Sequence, residues 1–231
     1  MNCFIYLRLN KLFILSVFIE FFLSNSMNRF DAKAQDWDKN NVHLERTKAI
    51  AKQLLSRVDI QPHMRALEFG AGTGLLSFEL QQKFSSICMM DNSAEMVKVM
   101  HQKVEQASAK NLQPEFFDLE HNTYNDKPFD FIFTQMVMHH VVAVEKMFCK
   151  FYSLLNSGGY LAIADLYSED GSFHGPDVKV HLGFDPENLA ESLKQIGFTN
   201  VSIKHCFDYN KTTIENSTKT FPIFLLIAQK G

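Results

Sequence analysis

The chain has 231 residues, of which 46% are hydrophobic and 21% charged, with a formal net charge of −3. That length suits one α/β domain with a sizeable core rather than two domains, and the slight acidity gives no general electrostatic case for nucleic acid, which calls for a basic face. Cys3, Cys88, Cys149 and Cys206 are scattered without a CxxC pair; neither a zinc site nor a disulfide framework follows, and reduced thiols in a cytosol are the simplest reading.

Residues 4–23 are dominated by Phe, Leu and Ile, with Arg8 and Lys11 near the start. Such a stretch suits a signal peptide or an uncleaved anchor. Glu20 interrupts the apolar run, however, and no small-x-small cleavage site follows. Met27 opens what reads as an ordinary enzyme start. Residues 1–26 are therefore read as a dispensable extension or an upstream start, and 27–231 as a single cytoplasmic domain. A true signal would instead export the protein or anchor it to a membrane.

From about residue 43 onward, strands and helices alternate. Thr47, Ile50, Ala51, Leu54, Leu55 and Val58 recur at helical spacing, and Gln61-Pro62 ends that helix. Parallel strands are expected over 66–69, 87–90, 115–117, 129–133 and 160–164. The helices between them are expected over 75–84, along Met96, Met100 and Val104, and over 144–155, where Gly158-Gly159 stops the last one. Asn92, with Glu95 three residues on, has the form of a capping box. Asp185-Pro186 reads as an N-cap followed by proline in the first turn. Leu189, Leu193 and Ile196 supply the buried stripe of that helix, and Gly197 ends it. Strands over 198–205 and 221–229 then follow with no helix between them, and such neighbours pair antiparallel.

Between the first strand and the next helix stands Glu68-Phe69-Gly70-Ala71-Gly72-Thr73-Gly74-Leu75. Glycine accepts positive φ and lets a ligand approach the backbone closely. A turn that opens into a helix points free N–H groups outward, and ligands of open α/β sheets bind at the carboxyl ends of the strands. A dinucleotide fingerprint would place its third glycine where Leu75 stands, and no G-x-x-x-x-G-K-[ST] loop occurs. A ligand without a pyrophosphate, and with a cation near Glu68, fits better. Asp91 ends the second strand about twenty residues past the turn, where a carboxylate can accept both ribose hydroxyls of an adenosine. NAD-binding folds use the same device.

Glu68-x-Gly70-x-Gly72-x-Gly74 resembles motif I of the class I S-adenosylmethionine-dependent methyltransferases, and the resemblance runs from about residue 30 to residue 230. It implies a Rossmann-like three-layer α/β sandwich with a seven-stranded, mostly parallel sheet whose last strand is antiparallel. It also implies that Gly70, Gly72 and Gly74 pass beneath the methionine end of the cofactor S-adenosylmethionine. Glu68 would lie near its ammonium, Asp91 and Asn92 at its ribose, and Asp118 and Leu119 at its adenine. Thr134-Gln135-Met136-Val137-Met138-His139-His140 is similar to the segment that borders cofactor and substrate in small-molecule members, which brings Gln135 to the cofactor. It lacks the Asp/Asn-Pro-Pro-aromatic tetrapeptide of adenine and glutamine N-methylation. Residues 30–38 are similar to the F-D-x-x-A-x-x-aromatic-D stretch of small methyltransferases and are expected to fold over the cofactor as a lid bearing Trp37, the sole tryptophan.

His139 and His140 could take a proton from a substrate O–H or N–H, since histidine titrates near neutrality. The plainer alternative is that one packs in a helix and caps a backbone carbonyl. Asp165 ends the fifth strand at the same sheet edge as Glu68 and Asp91, and the segments 169–175 and 181–184 are expected to help form a substrate pocket. No HxxxH-like pair supports a metal site. The combined expectation is methyl transfer from S-adenosylmethionine to a small-molecule acceptor, with no nucleic acid and no membrane unless the N-terminal extension is retained. A nicotinamide-dependent oxidoreductase and a non-catalytic S-adenosylmethionine-binding protein are the alternatives.

Overall fold

A strand covered on both faces needs apolar residues in succession rather than in alternation. β4 (Phe129–Gln135) is such a strand: Phe131 and Phe133 face one side, Ile132 the other, and all three are fully buried. The computed structural model describes residues 30–212 and 217–231 and builds a seven-stranded sheet around β4. In chain order the elements are α1 (Asn41–Arg57), β1 (Arg65–Phe69), α2 (Leu75–Leu80), β2 (Ser86–Asp91), α3 (Ala94–Ala107), β3 (Leu112–Phe116), β4, α4 (Val144–Leu154), β5 (Leu155–Leu166), α5 (Pro186–Ile196), β6 (Phe198–Thr212) and β7 (Thr218–Lys230).

The strand order is β3-β2-β1-β4-β5-β7-β6. Neighbours from β3 to β5 are parallel, and β7 runs antiparallel to both β5 and β6. The expected Rossmann-like sheet with an antiparallel last strand is what forms. The connections after β1 and after β4 leave in opposite directions, which opens a crevice at the carboxyl ends of those two strands. On one face Ile50, Leu54, Leu76 and Met100 pack on Ala66, Met89, Phe131 and Phe133. On the other, Phe148, Phe151 and Leu193 pack on Leu67, Met90, Ile132 and Ile163. Each such side chain, fully buried, stabilises the fold by roughly 1.5–3 kcal/mol.

Several local expectations hold and others shift. Asp185 caps α5 by accepting from the Glu187 N–H at 3.0 Å, and Gly197 ends it with φ 118°. The cap of α3 is Ser93 rather than Asn92: the Ser93 hydroxyl accepts from the Met96 N–H at 3.2 Å. β3 begins at Leu112 instead of residue 115 and contains Pro114; a sheet edge tolerates the missing donor because one side of the strand needs none. α4 stops at Leu154 and β5 starts at once, so Gly158-Gly159 lie inside the strand. There they accommodate an irregularity in which Phe129 pairs with Leu155 but Phe131 with Tyr160. A Cβ on Gly159 would sit 2.9 Å from the Asn156 carbonyl oxygen. The expectations for residues 1–26 lie outside the described residues, among which no helix is long and apolar enough to cross a membrane.

Candidate active site

β1 ends at Phe69, and the chain must turn sharply to start α2 at Leu75. Gly70 and Gly72 do this with φ of 67° and 58°, a left-handed conformation that costs other residues roughly 1–2 kcal/mol. A Cβ on Gly70 would come within 2.5 and 2.6 Å of the two Val137 methyls. A Cβ on Gly72 would meet nothing nearer than Trp37 Nε1 at 3.9 Å, because Gly72 faces a cavity of about 760 Å³ at the carboxyl ends of the strands. The room this leaves over Gly72 is what a cofactor passing over the turn requires.

Two carboxylates hold the turn. Asp91 Oδ2 accepts from the Gly72 N–H at 2.7 Å, and Oδ1 from the Ser93 N–H at 2.8 Å. Burial pushes the Asp91 carboxyl up, while these N–H groups oppose the shift. Glu68 is fully buried; its Oε2 accepts from the Ser77 N–H at 3.0 Å and from the Ser77 hydroxyl, and its Oε1 has no partner among the described residues. Burial pushes this carboxyl up to about 8 against those two bonds.

Of the residues singled out by sequence, Gly70, Gly72, Asp91, Asn92, Asp118, Leu119, Gln135, His139 and His140 line the cavity together. Glu68, Gly74 and Asp165 stand behind its wall. Gly74 packs on Met89, with no room for a Cβ, which would lie 2.9 Å from the sulfur. Glu68 does not line the cavity directly; its Oε2 is held by Ser77, which braces the turn, and the expected contact with a cofactor ammonium falls to Oε1, which has no partner among the described residues. Asp118 accepts from the His121 N–H at 3.2 Å and pairs with the His121 ring at 2.7 Å. Gln135 Oε1 accepts from the Thr47 hydroxyl at 3.2 Å.

The segment Asp31–Lys39 forms a 3-10 helix whose Lys33, Asp36 and Trp37 make one wall of the cavity. It is tied down at both ends. Asp31 accepts from the Ser93 hydroxyl at 2.5 Å, and Asp38 accepts from the Thr73 hydroxyl at 2.5 Å and from Lys103 at 2.6 Å. The Trp37 and His43 rings lie 4.5 Å apart, and burial, followed by the nearby Arg46 cation, lowers the His43 pKa to about 4.

Arg46 is a site residue that sequence reasoning missed. It lines the cavity and is 4% exposed; among the described residues it makes no ion pair and its Nε has no partner. Burial lowers its pKa to about 10, with Tyr209 and Asp165 acting in the opposite sense. The available signal was a charged residue beside Thr47 and Ile50 in an otherwise apolar helical stripe. A buried cation without a counter-ion is costly and calls for an anion. Arg46→Met is therefore expected to leave the ligand-free protein as stable as wild type or more so, while weakening cofactor binding roughly 10- to 100-fold through loss of a charged hydrogen bond worth about 1.5–3 kcal/mol. Denaturant unfolding paired with calorimetric titration checks both.

Across the cavity, the one-turn 3-10 segment Met138–His140 packs against β5. The His139 N–H donates to Asp165 Oδ2 at 3.2 Å, and its ring Nδ1 lies 2.6 Å from Asp165 Oδ1. A neutral imidazole that donates to this carboxylate through Nδ1 keeps its lone pair on Nε2. That Nε2 lies 2.9 Å from the Nε2 of His174, in the loop after β5. The His140 ring is centred 4.1 Å from His139 and 5.0 Å from His174. A third histidine reaches a backbone carbonyl: His181 Nε2 lies 3.0 Å from the Val141 carbonyl oxygen.

Residues 42–216 match the methyltransferase-domain family. The chain belongs to this methyltransferase family. Its relatives include uncharacterized methyltransferases of Schizosaccharomyces pombe, 31% identical over 61% of this chain and 55% of that protein, and of Staphylococcus carnosus, 29% identical over 64% of this chain and 70% of that protein. The chain thus spans about half the length of the first of these relatives. The solved structure of an S-adenosylmethionine-dependent methyltransferase from Aquifex aeolicus superposes with a TM-score of 0.63 at 19% identity, covering 87% of this chain and 98% of that one. The family membership decides between the two cofactors the glycine turn left open, in favour of S-adenosylmethionine over nicotinamide. The methyltransferase cavity fits that cofactor: Gly72 leaves room for it, Asp91 and Asp118 line the β1–β3 half, and Arg46 supplies a cation.

Proposed function

We propose that the protein transfers a methyl group from S-adenosylmethionine to a small-molecule acceptor within this cavity. The observation that carries the reading is the glycine turn, where a Cβ on Gly72 would enter the cavity between Asp91 and Trp37. Bound there, S-adenosylmethionine supplies a methyl group on a sulfonium, already activated for in-line displacement.

The chain's own residues do the rest. Gly70 and Gly72 form the floor, with Gly74 packed behind them, Asp91 and Asn92 hold the ribose, Asp118 and Leu119 hold the adenine, and Gln135 and Arg46 hold the amino-acid end, with Arg46 on the carboxylate. Trp37 covers the site and keeps water out. Aligning cofactor and acceptor at near-attack distance is worth up to roughly 7–11 kcal/mol of barrier. His139, His140 and His174, backed by Asp165, stand on the β4–β5 side, opposite the adenosine residues, and lower the cost of removing the acceptor's proton. The described cysteines, Cys88, Cys149 and Cys206, are free thiols, which supports a reducing compartment such as the cytoplasm.

Incubation of the full chain with methyl-labelled S-adenosylmethionine and a metabolite extract, followed by mass spectrometry, tests this reading. Label in a small molecule is the expected result. Tight cofactor binding with no labelled product would make the protein a non-catalytic cofactor binder.

A further inference from the structure

The three histidines at the β4–β5 side of the cavity come from two distant stretches of chain. His139 and His140 follow β4, and His174 lies in the loop after β5, thirty-five residues beyond His139. Each can offer one ring nitrogen such that all three nitrogens lie within 4.8 Å of one another, and all three residues line the cavity. We infer that His139, His140 and His174 form a binding site for one divalent transition-metal ion of the zinc class, with Asp165 as the carboxylate behind His139.

Three features carry this. First, the donor set is three imidazoles, which suits zinc and its neighbours and not magnesium or calcium. Three protein ligands with a fourth position open to a cavity is the composition of catalytic zinc sites. Second, the spacing is close to what such an ion needs. Two nitrogens about 2.0–2.1 Å from a tetrahedral zinc lie about 3.3 Å apart, and His139 Nε2 and His174 Nε2 are 2.9 Å apart. Third, His139 is prepared for ligation. Its Nδ1 faces Asp165 Oδ1 at 2.6 Å, and both residues are buried. A carboxylate at Nδ1 favours the tautomer whose Nε2 lone pair faces His174, as the carboxylates behind metal-bound histidines do. Asp165 is itself held, its Oδ1 accepting from the Leu166 N–H at 2.7 Å.

The role of the ion, as distinct from its binding, rests on the methyl-transfer reading. An acceptor hydroxyl or thiol that reaches the open position loses its proton to water more readily, because the ion stabilises the anion left behind. The acceptor's lone pair then forms a bond to the methyl carbon as the S–C bond of the sulfonium breaks, leaving a neutral thioether. The acceptor class this favours is a small molecule with an oxygen or sulfur nucleophile.

The test is titration of the purified full chain, first stripped of metal, with Co²⁺ and with Zn²⁺. Stoichiometry is read by elemental analysis after dialysis, and coordination by the visible ligand-field bands of cobalt. The expected result is one ion per chain and the intense bands of a four-coordinate site. His174→Ala should lose the bands and weaken binding by at least about 100-fold, and Asp165→Asn should weaken it by roughly 10- to 100-fold. Calorimetric titration with S-adenosylhomocysteine runs in parallel. Cofactor binding without stoichiometric cobalt overturns the metal site and leaves methyl transfer standing. Cobalt binding lost in His174→Ala, but without cofactor binding, supports the metal site and removes its proposed role. Cobalt bound equally by wild type and His174→Ala overturns the site as assigned.

Discussion

Gly72→Val is expected to abolish binding of S-adenosylhomocysteine, with a loss of at least about 100-fold, or ~2.7 kcal/mol, while thermal unfolding shows a folded protein. The reasoning is local. Nothing but Trp37 Nε1, at 3.9 Å, stands within 4 Å of a Cβ at this position, so the new side chain projects into the cavity and not into the core. The backbone there has φ 58°, which costs a side chain roughly 1–2 kcal/mol, more for a β-branched one. A domain of this size carries about 5–15 kcal/mol of stability. Gly72→Ala is the milder arm and should show the same direction with a smaller loss. Gly70→Ala should behave differently, because its Cβ meets Val137 at 2.5 Å and the fold itself must give. Calorimetry and thermal unfolding on the three variants separate the two effects; retained affinity in a folded Gly72→Val protein would contradict the assignment of the cradle.

Glu68→Gln is expected to remove a pH dependence of stability that the wild-type protein shows between about pH 4.5 and 8. Burial raises the Glu68 pKa from 4.5 to about 8. Between those values the folded state holds a proton that the unfolded state has released, so folding stability falls as pH rises. The contribution is fully present below the unfolded value and is lost as pH rises through the folded one. Its size is about 3–5 kcal/mol, large because the group is fully buried and its second oxygen has no partner among the described residues. Glutamine keeps an acceptor for the Ser77 N–H and hydroxyl but cannot ionise. The stability difference between variant and wild type should therefore move in favour of glutamine as pH rises. Denaturant unfolding at pH 5, 6.5 and 8 measures it; parallel curves for the two proteins would mean that Glu68 is charged throughout.

The parts of this protein that local chemistry dictates were legible in its sequence. The register of Gly70, Gly72 and Gly74 spoke against a dinucleotide turn, and Asp185-Pro186 and Gly197 marked both ends of α5. The strand pair after α5 predicted the antiparallel β7. Boundaries failed where tertiary contacts override local signals. Gly158-Gly159 looks like a helix stop, yet the pair sits within β5 because pairing with β4 continues on both sides of it. Asn92 has the right spacing for a cap, but the backbone turns at Ser93. The cavity residues nearest the glycine motif were foreseen because a strand end fixes where they stand. Arg46 was not, since it reaches the site from a remote helix; His174 was foreseen within the pocket segment 169–175 but not as a neighbour of His139, which no spacing in one chain reveals. Glu68 is the instructive case: its motif position was readable, but its orientation toward Ser77 depends on how α2 packs.

The central claim is that this cavity takes S-adenosylmethionine and not a nicotinamide dinucleotide. The most direct measurement is titration of the full chain with S-adenosylhomocysteine and, separately, with NAD⁺, followed by heat and by the emission of Trp37, the single tryptophan. Saturable binding of one S-adenosylhomocysteine per chain, with a change in Trp37 emission and no response to NAD⁺, is the predicted result. No saturable response to S-adenosylhomocysteine, or equal affinity for NAD⁺, would contradict it.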